Sequence, residues 1–233
     1  MKINKTKTFS SAFTLIELLV VIAIIAILAS IALPVFSTVQ ERGKQTKDMS
    51  NAKQIALACK TFAGDHDGKF PYQDGKVNPP VNLVPADKSN QAFASLIPDY
   101  LTQEKIFYLA GSAWSPTVPD ENTAAPASRV EAGTNNYAYM MGLSDTDNPS
   151  YPLVFDAPAA GGTAYVVTPG TPGGVWKGKK AVVIHTDVSA TLEKVDPATL
   201  KIMGPTGGAA PADILVPVVP WMDPATNSIL YPQ

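Results

Sequence analysis

The chain has 233 residues, with 18 lysines and arginines, 20 aspartates and glutamates, two histidines and a single cysteine. One cysteine cannot form an internal disulfide, and two histidines without paired cysteines make a zinc site or a histidine-based triad hard to build. None of the common hydrolase, metalloprotease or phosphate-binding motifs is present. The composition therefore favours a structural or binding protein over an enzyme.

An apolar run of 21 residues, 13–33, follows a short basic stretch with three lysines. As a helix this run is roughly 31 Å long, about the thickness of the hydrocarbon core of a bilayer. Glu17 is its one charged residue, and a carboxylate inside a membrane span is costly unless a positive group lies beside it. Cleavage before Phe13 would create such a group, an α-ammonium that can pair with Glu17 of the same chain or of a neighbour.

Three alternatives compete for this segment. A secretory signal peptide has a shorter apolar core and no carboxylate. A plain membrane anchor accounts for the length and the basic flank but gives Glu17 no role. The third alternative is a prepilin leader, because Ala12 followed by Phe-Thr-Leu-Ile-Glu resembles the start of type IV pilins and type II secretion pseudopilins. The resemblance covers residues 8–40, and it is the interpretation we favour.

This family resemblance implies a processing step and several residue roles. A leader peptidase would remove residues 1–12 by cutting between Ala12 and Phe13, and would methylate the new amine of Phe13. Glu17 would pair with the amine of a neighbouring subunit during assembly, and Pro34 would bend the helix. The family normally has glycine before the cut, where this chain has Ala12.

Beyond the apolar run, residues 34–64 predict a continuation of the helix as an amphipathic stalk. Its apolar residues recur at spacings of three and four: Met49, Ala52, Ile55, Ala56, Cys59, Phe62 and Ala63. Such a stripe is typical of a helix that packs on a sheet, so Cys59 is interpreted as a core residue rather than a nucleophile. Gly64 is expected to end the helix in the left-handed conformation, and His66 to lie in a solvated turn.

Charge is unevenly distributed between the stalk and the rest of the chain. Residues 34–60 carry five basic and two acidic side chains, whereas residues 61–233 carry ten basic and seventeen acidic ones. A basic stalk and an acidic head suit lateral packing of like subunits, although an acidic head also simply keeps an exported protein soluble. The acidic head argues against nucleic acid as a partner.

The head, residues 65–233, is predicted to hold one short helix and five short strands. The helix spans residues 90–100, with Phe93, Leu96 and Ile97 facing inward. The strands are 137–140, 153–155, 164–167, 181–184 and 191–195, the last two forming an antiparallel hairpin. The segments 76–88, 114–134, 156–162 and 203–213 are predicted loops, and the tail 214–233 an extended wrap. A long N-terminal helix packed on a small antiparallel sheet is an α+β, pilin-like architecture.

No cofactor is expected. Asp145, Asp147 and Asp156 flank the loop before the third strand, about where the resemblance to major pseudopilins would place calcium. A calcium site there is the alternative to an ordinary solvated loop.

These features predict a structural subunit with a leader (1–12), a transmembrane and assembly helix (13–33), a stalk (34–64) and a globular head (65–233). It would span the inner membrane once with its head in the periplasm, then enter a type IV pilus or a secretion pseudopilus, or reach the cell surface. Its partners would be a leader peptidase and methyltransferase, like subunits and the inner membrane, and not nucleic acid. The alternative is a membrane-anchored ligand-binding or adhesive domain that does not polymerise.

Overall fold

The computed structural model describes residues 14–71, 88–124, 128–206, 209–215 and 228–233 of the chain. A long helix, α1 (Leu15–Asp65), comes first. The chain divides into two compact units, Met1–Lys44 and Gln45–Gln233, and α1 contributes to both. The boundary between the units falls inside the predicted stalk. We call residues 15–44 the exposed half of α1 and residues 45–65 its packed half.

From residue 15 to residue 36 the exposed half of α1 is apolar on every side apart from Glu17 and Ser30, whereas residues 37–44 are mostly polar. Every residue from 14 to 44 is exposed except the half-buried Ala29. A run of Leu, Ile, Val and Ala forms a helix here because the helix satisfies its own backbone N–H and C=O groups without water. Pro34 lies inside the helix, where it has no N–H to donate to the carbonyl of Ser30.

The second unit is built on a five-stranded antiparallel sheet. Its elements in chain order are α2 (Ser89–Ala94), a 3-10 turn (Glu104–Phe107), β1 (Tyr137–Met141), β2 (Pro152–Asp156), β3 (Lys180–His185), β4 (Ala190–Lys194), β5 (Met203–Thr206), β6 (Ala209–Asp213) and β7 (Ser228–Leu230). The strand order of the main sheet is β4-β3-β2-β1-β7, and β5 pairs with β6 in a separate two-stranded sheet. The register places Tyr137 opposite Asp156 and Val183 opposite Phe155.

The packed half of α1 and the central strands form the core of this unit. The predicted stripe is buried along Ala52, Ile55, Ala56, Cys59, Phe62 and Ala63. All five residues of β2 and the first four of β1 are buried as well. Burial on both faces explains why β2 is a continuous apolar run rather than an alternating one. The predicted α+β class, a long N-terminal helix with an antiparallel sheet, is confirmed.

Several local predictions were wrong. Residues 164–167 do not form a strand, because the amide of Tyr165 donates to Leu200 O (2.7 Å) and that of Val166 to Gly173 O (3.0 Å) within a glycine- and proline-rich loop. The predicted loop 203–213 contains β5 and β6. The predicted extended tail contributes β7, which pairs with β1 at the edge of the main sheet.

The helix ends also differ from prediction. The predicted helix 90–100 ends at Ala94, although Phe93, Leu96 and Ile97 are buried as expected. Gly64 lies inside α1, and the left-handed conformation falls instead on Asp67 (φ 54°) and Gly68 (φ 77°). The helix therefore runs on to Asp65, and the turn that follows it closes where Gly68 N donates to Ala63 O at 2.9 Å.

Candidate assembly segment

The first turn of α1 is closed by a reciprocal capping box between Thr14 and Glu17. The Thr14 amide donates to Glu17 Oε2 at 2.8 Å and the Thr14 hydroxyl donates to the same oxygen at 2.7 Å. In return, the Glu17 amide donates to Thr14 Oγ1 at 3.2 Å. A carboxylate three residues after a threonine N-cap satisfies helix-end N–H groups and suits the positive end of the helix dipole.

This arrangement uses one oxygen of the Glu17 carboxylate and leaves the other available. Oε2 is occupied by Thr14, whereas no donor among the described residues reaches Oε1. Phe13 and Ala12, the predicted methylation and cleavage sites, lie outside the described residues. Pairing of Glu17 with the Phe13 amine, and the assembly role of Pro34, therefore stay predictions.

Thr14 is the residue that the sequence analysis missed. Its signal was present, since Thr-x-x-Glu before an apolar run is a helix-start pattern. The sequence analysis predicted an amine as the partner of Glu17 and did not predict the hydrogen bonds between Glu17 and Thr14.

None of the described residues covers the large apolar side chains of the exposed half. Examples are Leu15 at 85% exposure, Ile25 at 58% and Phe36 at 61%. In the part of the chain that the structure describes, this is the one helix long and apolar enough to cross a membrane, judged by length and composition.

The three hydroxyl groups of the exposed half are satisfied by the helix itself, and its charged side chains other than Glu17 lie beyond the apolar run, at Glu41, Arg42 and Lys44. Ser30 Oγ donates to Ile27 O at 2.7 Å, Ser37 Oγ to Pro34 O at 2.9 Å and Thr38 Oγ1 to Pro34 O at 3.1 Å. Because these hydroxyls bond to the preceding turn, they need no water or external partner. This half of α1 can therefore be surrounded by an apolar medium without stranding a hydroxyl.

The three calcium candidates are not brought together. Asp145 N donates to Gly68 O and Asp147 Oδ2 accepts from Ser144 N, both in the loop between β1 and β2. Asp156 lies at the other end of β2, fully buried, and strands of five residues span about 13 Å or more. Among the described residues, no group of three or more His, Cys, Asp or Glu side chains is placed to hold a metal ion.

The remaining reactive side chains are held in structural contacts. Cys59 is fully buried, and burial raises the pKa of its thiol, so it stays protonated. His66 stacks on Phe62 with ring centroids 3.8 Å apart and bonds to Phe62 O through Nδ1. His185 lies within hydrogen-bond distance of Ser150 O and Thr191 Oγ1 through its two ring nitrogens. None of the three resembles an activated nucleophile or base.

Two clefts of about 340 Å³ lie in the second unit. One separates the packed half of α1 from residues 101–106 and is lined by Lys47, Asn51, Gln54 and Lys105. The other lies beside β3 and β5 and is lined by Tyr151, His185, Glu193, Ile202 and Met203. Neither cleft contains a constellation of catalytic groups.

The chain thus combines an exposed apolar helix, a capped carboxylate in the first turn of that helix, and an α+β head. Residues 8–33 match the family model described as the prokaryotic N-terminal methylation motif. These observations confirm the predicted resemblance to the type IV pilin family over the N-terminal segment.

Two curated relatives match part of the chain. The chain is 42% identical over 67 residues to the type IV major pilin protein PilA of Myxococcus xanthus (strain DK1622), which is 29% of this chain and 30% of the relative. It is 42% identical over 59 residues to the type IV major fimbrial protein FimA of Dichelobacter nodosus, 25% of this chain and 38% of the relative. The chain thus spans about a third of the length of the curated relatives it matches. No solved structure gives a significant match.

Proposed function

We propose that this chain is a pilin-like structural subunit that is held in the inner membrane by residues 13–33 and polymerises through the apolar part of the exposed half of α1, residues 15–36. The observation that carries the proposal is that this half exposes all its large apolar side chains while its own hydroxyls are internally bonded. The names of both relatives support a type IV pilus as the polymer, and a secretion pseudopilus is the alternative.

The proposed route begins with removal of residues 1–12 between Ala12 and Phe13 and methylation of the Phe13 amine. The methylation motif over residues 8–33 supports this step. The head would then lie in the periplasm until the subunit joins the filament. Because the relatives are named as pilus subunits, we propose no enzymatic activity.

The physical logic of assembly follows from the exposed half. An apolar helix gains little when it leaves lipid for a bundle of like helices, because lipid tails are as apolar as leucine. Apolar contacts alone therefore specify the register of neighbouring subunits poorly. A charge pair specifies it better, since two unit charges 4 Å apart attract by about 4 kcal/mol at an effective dielectric constant of 20.

Glu17 is placed to supply the acidic member of this pair. Its Oε2 remains on Thr14 while Oε1 accepts from the Phe13 ammonium of a neighbouring subunit. In this arrangement the capping box fixes the orientation of the carboxylate before the neighbour arrives. The same carboxylate then serves both the helix end and the subunit contact.

The experiment compares three substitutions in the full chain in a strain that assembles filaments. Glu17→Leu removes the charge and the capping interaction, whereas Glu17→Gln removes only the charge, because glutamine also fits a capping box. Glu41→Gln is the matched control, the same chemical change on the same helix outside the apolar run. Cell fractionation, mechanical shearing of filaments and mass spectrometry of the mature N-terminus are the measurements.

We expect both Glu17 variants to be cleaved before Phe13, to remain in the membrane and to yield no sheared filament, while Glu41→Gln yields wild-type amounts. Filaments at the wild-type level from Glu17→Gln would show that charge pairing is not the basis of register. An intact Met1 on a functional wild-type protein would instead favour the alternative, an anchored ligand-binding or adhesive domain.

A further inference from the structure

Two buried aspartates meet between the packed half of α1 and the main sheet. Asp48 is on α1 and Asp156 ends β2, and both side chains are fully buried. Each side chain lies within hydrogen-bond reach of the other. Two ionised carboxylates in such a place would repel each other and lose their hydration without compensation.

The side chains that face the pair come from every element packed around it. Asn51 approaches from α1, Asn136 and Tyr137 from β1, Trp176 from the loop before β3, and Tyr165 from the loop after β2. A further acid, Asp213, acts on Tyr165 and is itself paired with Lys201 at 3.3 Å. Within the described residues, no lysine, arginine or histidine contacts either aspartate, so no cation neutralises the pair.

Asp156 has the hydrogen bonds of a carboxylate. Its Oδ1 accepts from Asn136 Nδ2 at 2.7 Å. Its Oδ2 accepts from Trp176 Nε1 and from the backbone amide of Val182, both at 2.8 Å. Three N–H donors stabilise the ionised form of a carboxyl group, and none of these donors could accept a proton from Asp156.

Asp48 has the hydrogen bonds of a carboxylic acid. Its Oδ1 accepts from the Tyr137 hydroxyl at 2.7 Å. Its buried Oδ2 receives no N–H or O–H donor. An oxygen that lies beside a carboxylate and receives no donor is satisfied if it carries the proton itself and donates it.

We infer that Asp48 and Asp156 share a single proton, carried on Oδ2 of Asp48 and donated to the Asp156 carboxylate, so that α1 is fastened to the sheet by an acid–carboxylate hydrogen bond. This proton-binding site is independent of the proposed assembly function, because it lies entirely within the second unit.

The electrostatics agree with this placement of the proton. Burial raises the pKa of Asp48 well above its ordinary value, and the charge of Asp156 raises it further. Burial also raises the pKa of Asp156, but the amide of Val182, Trp176 and the Asp48 hydrogen bond act in the opposite direction. These directions agree with the hydrogen bonds, which place the proton on Asp48.

The shared proton determines how the stability of the folded head depends on pH. At pH values above the ordinary aspartate pKa of about 3.9, the folded head still holds this proton, whereas the unfolded chain has lost it. The stabilisation is fully present below that pH and declines as the pH rises towards and through the folded pKa. Over this window the folded-to-unfolded ratio due to this one proton falls by up to about tenfold per pH unit.

The test uses urea unfolding of the full chain in detergent micelles between pH 5 and pH 9, followed by tryptophan fluorescence. The variants are Asp48→Asn, Asp156→Asn and, as a control, Asp67→Asn, which changes an exposed acid with left-handed φ that asparagine also adopts. The measured quantity is the wild-type folding constant divided by that of each variant at each pH.

We expect Asp48→Asn to fold, because its amide can donate to Asp156 and its oxygen can accept from Tyr137. The ratio for this variant should fall steeply with pH, whereas the ratio for Asp67→Asn should stay flat. Asp156→Asn should be destabilised at every pH, because an amide N–H₂ cannot accept from Trp176 and Val182. A flat ratio for Asp48→Asn, or equal effects of the two aspartate variants, would overturn the inference.

A second measurement does not depend on any variant folding. Infrared spectra of wild-type protein with carbon-13 in its aspartate carboxyl groups should show an isotope-shifted band of protonated carboxylic acid at neutral pH. Because only aspartate carboxyl groups carry the label, the band of Asp48 is distinguished from any band of the buried Glu104. Absence of that band would contradict the shared proton. Stabilisation by millimolar calcium chloride that is lost in Asp48→Asn would likewise overturn it in favour of a cation site.

Discussion

The two halves of α1 have similar apolar side chains in opposite environments. Phe36 in the exposed half is 61% exposed, whereas Phe62 in the packed half is 1% exposed. The difference lies in the pattern: apolar residues surround the first half, but in the second they form a stripe with charged residues between them. A helix that is apolar all round needs apolar cover all round, and one strip of sheet cannot give it. None of the described residues provides such cover for the exposed half.

Replacing a phenylalanine in each half gives the largest expected contrast. Phe62→Ala removes a ring that packs in the core and contacts His66 and Tyr100, so it should lower the free energy of unfolding of the head by about 3–5 kcal/mol. Phe36→Ala should change that free energy by less than about 0.5 kcal/mol, as exposed substitutions usually do. Urea unfolding in micelles measures both.

A comparable loss in the two variants would mean that the first half also packs on the head. Normal head stability together with weaker filaments in Phe36→Ala would instead place its contacts between subunits. The contrast thus separates cover within the chain from cover by neighbours.

The division of α1 was predictable because it follows from periodicity, the strongest signal in a sequence. The apolar run, the stripe around Ile55 and Phe62, and the four strands that became β1 to β4 all appear in the sequence at the right places. The error at residues 164–167 has a physical cause. Tyr165 and Val166 have strand-forming side chains, but their amides bond to loop carbonyls, and no sequence pattern shows which partner an amide will find.

The strands β5 and β6 were not predicted because their side chains do not favour a strand. β5 and β6 contain mainly glycine, alanine and proline, with Thr206 as their one β-branched residue. A two-stranded sheet tolerates proline because each strand has a free edge. The Asp48–Asp156 contact was also beyond reach, since the two residues are far apart in sequence and meet only when α1 lies on the sheet. Asp156 was instead grouped with Asp145 and Asp147, its neighbours in sequence.

The polar side chains of the exposed half and those of the head differ in where their hydrogen-bond partners lie. Ser30 in the exposed half bonds to its own helix, three residues away. Asn135 in the head instead donates to Ser89 Oγ at 2.9 Å and to Asn90 Oδ1 at 3.1 Å, and accepts from the amide of Tyr137 at 2.9 Å. Removing a local hydrogen bond such as that of Ser30 costs little stability, whereas removing a member of a buried network such as that of Asn135 leaves its partners unsatisfied.

Asn135→Ala should therefore lower the free energy of unfolding of the head by about 2–3 kcal/mol, because it strands several buried donors and acceptors. Ser30→Ala should leave it unchanged. The same unfolding experiment measures both. An Asn135→Ala head as stable as wild type would mean that water enters and replaces the amide.

The smallest expected effect is at the start of α1, and it tests whether the exposed half behaves as a helix in its own right. Thr14→Ala removes the hydroxyl that accepts from the Glu17 amide and donates to its carboxylate. Loss of an N-cap costs about 1 kcal/mol, confined to the first turn. Amide hydrogen exchange of the full chain in micelles should show faster exchange at Glu17, and no change in the core strand β2. Thr14→Ser keeps the cap and should restore slow exchange. Equal protection of the Glu17 amide in Thr14→Ala and Thr14→Ser would show that the surrounding apolar medium, rather than the capping box, holds the helix end.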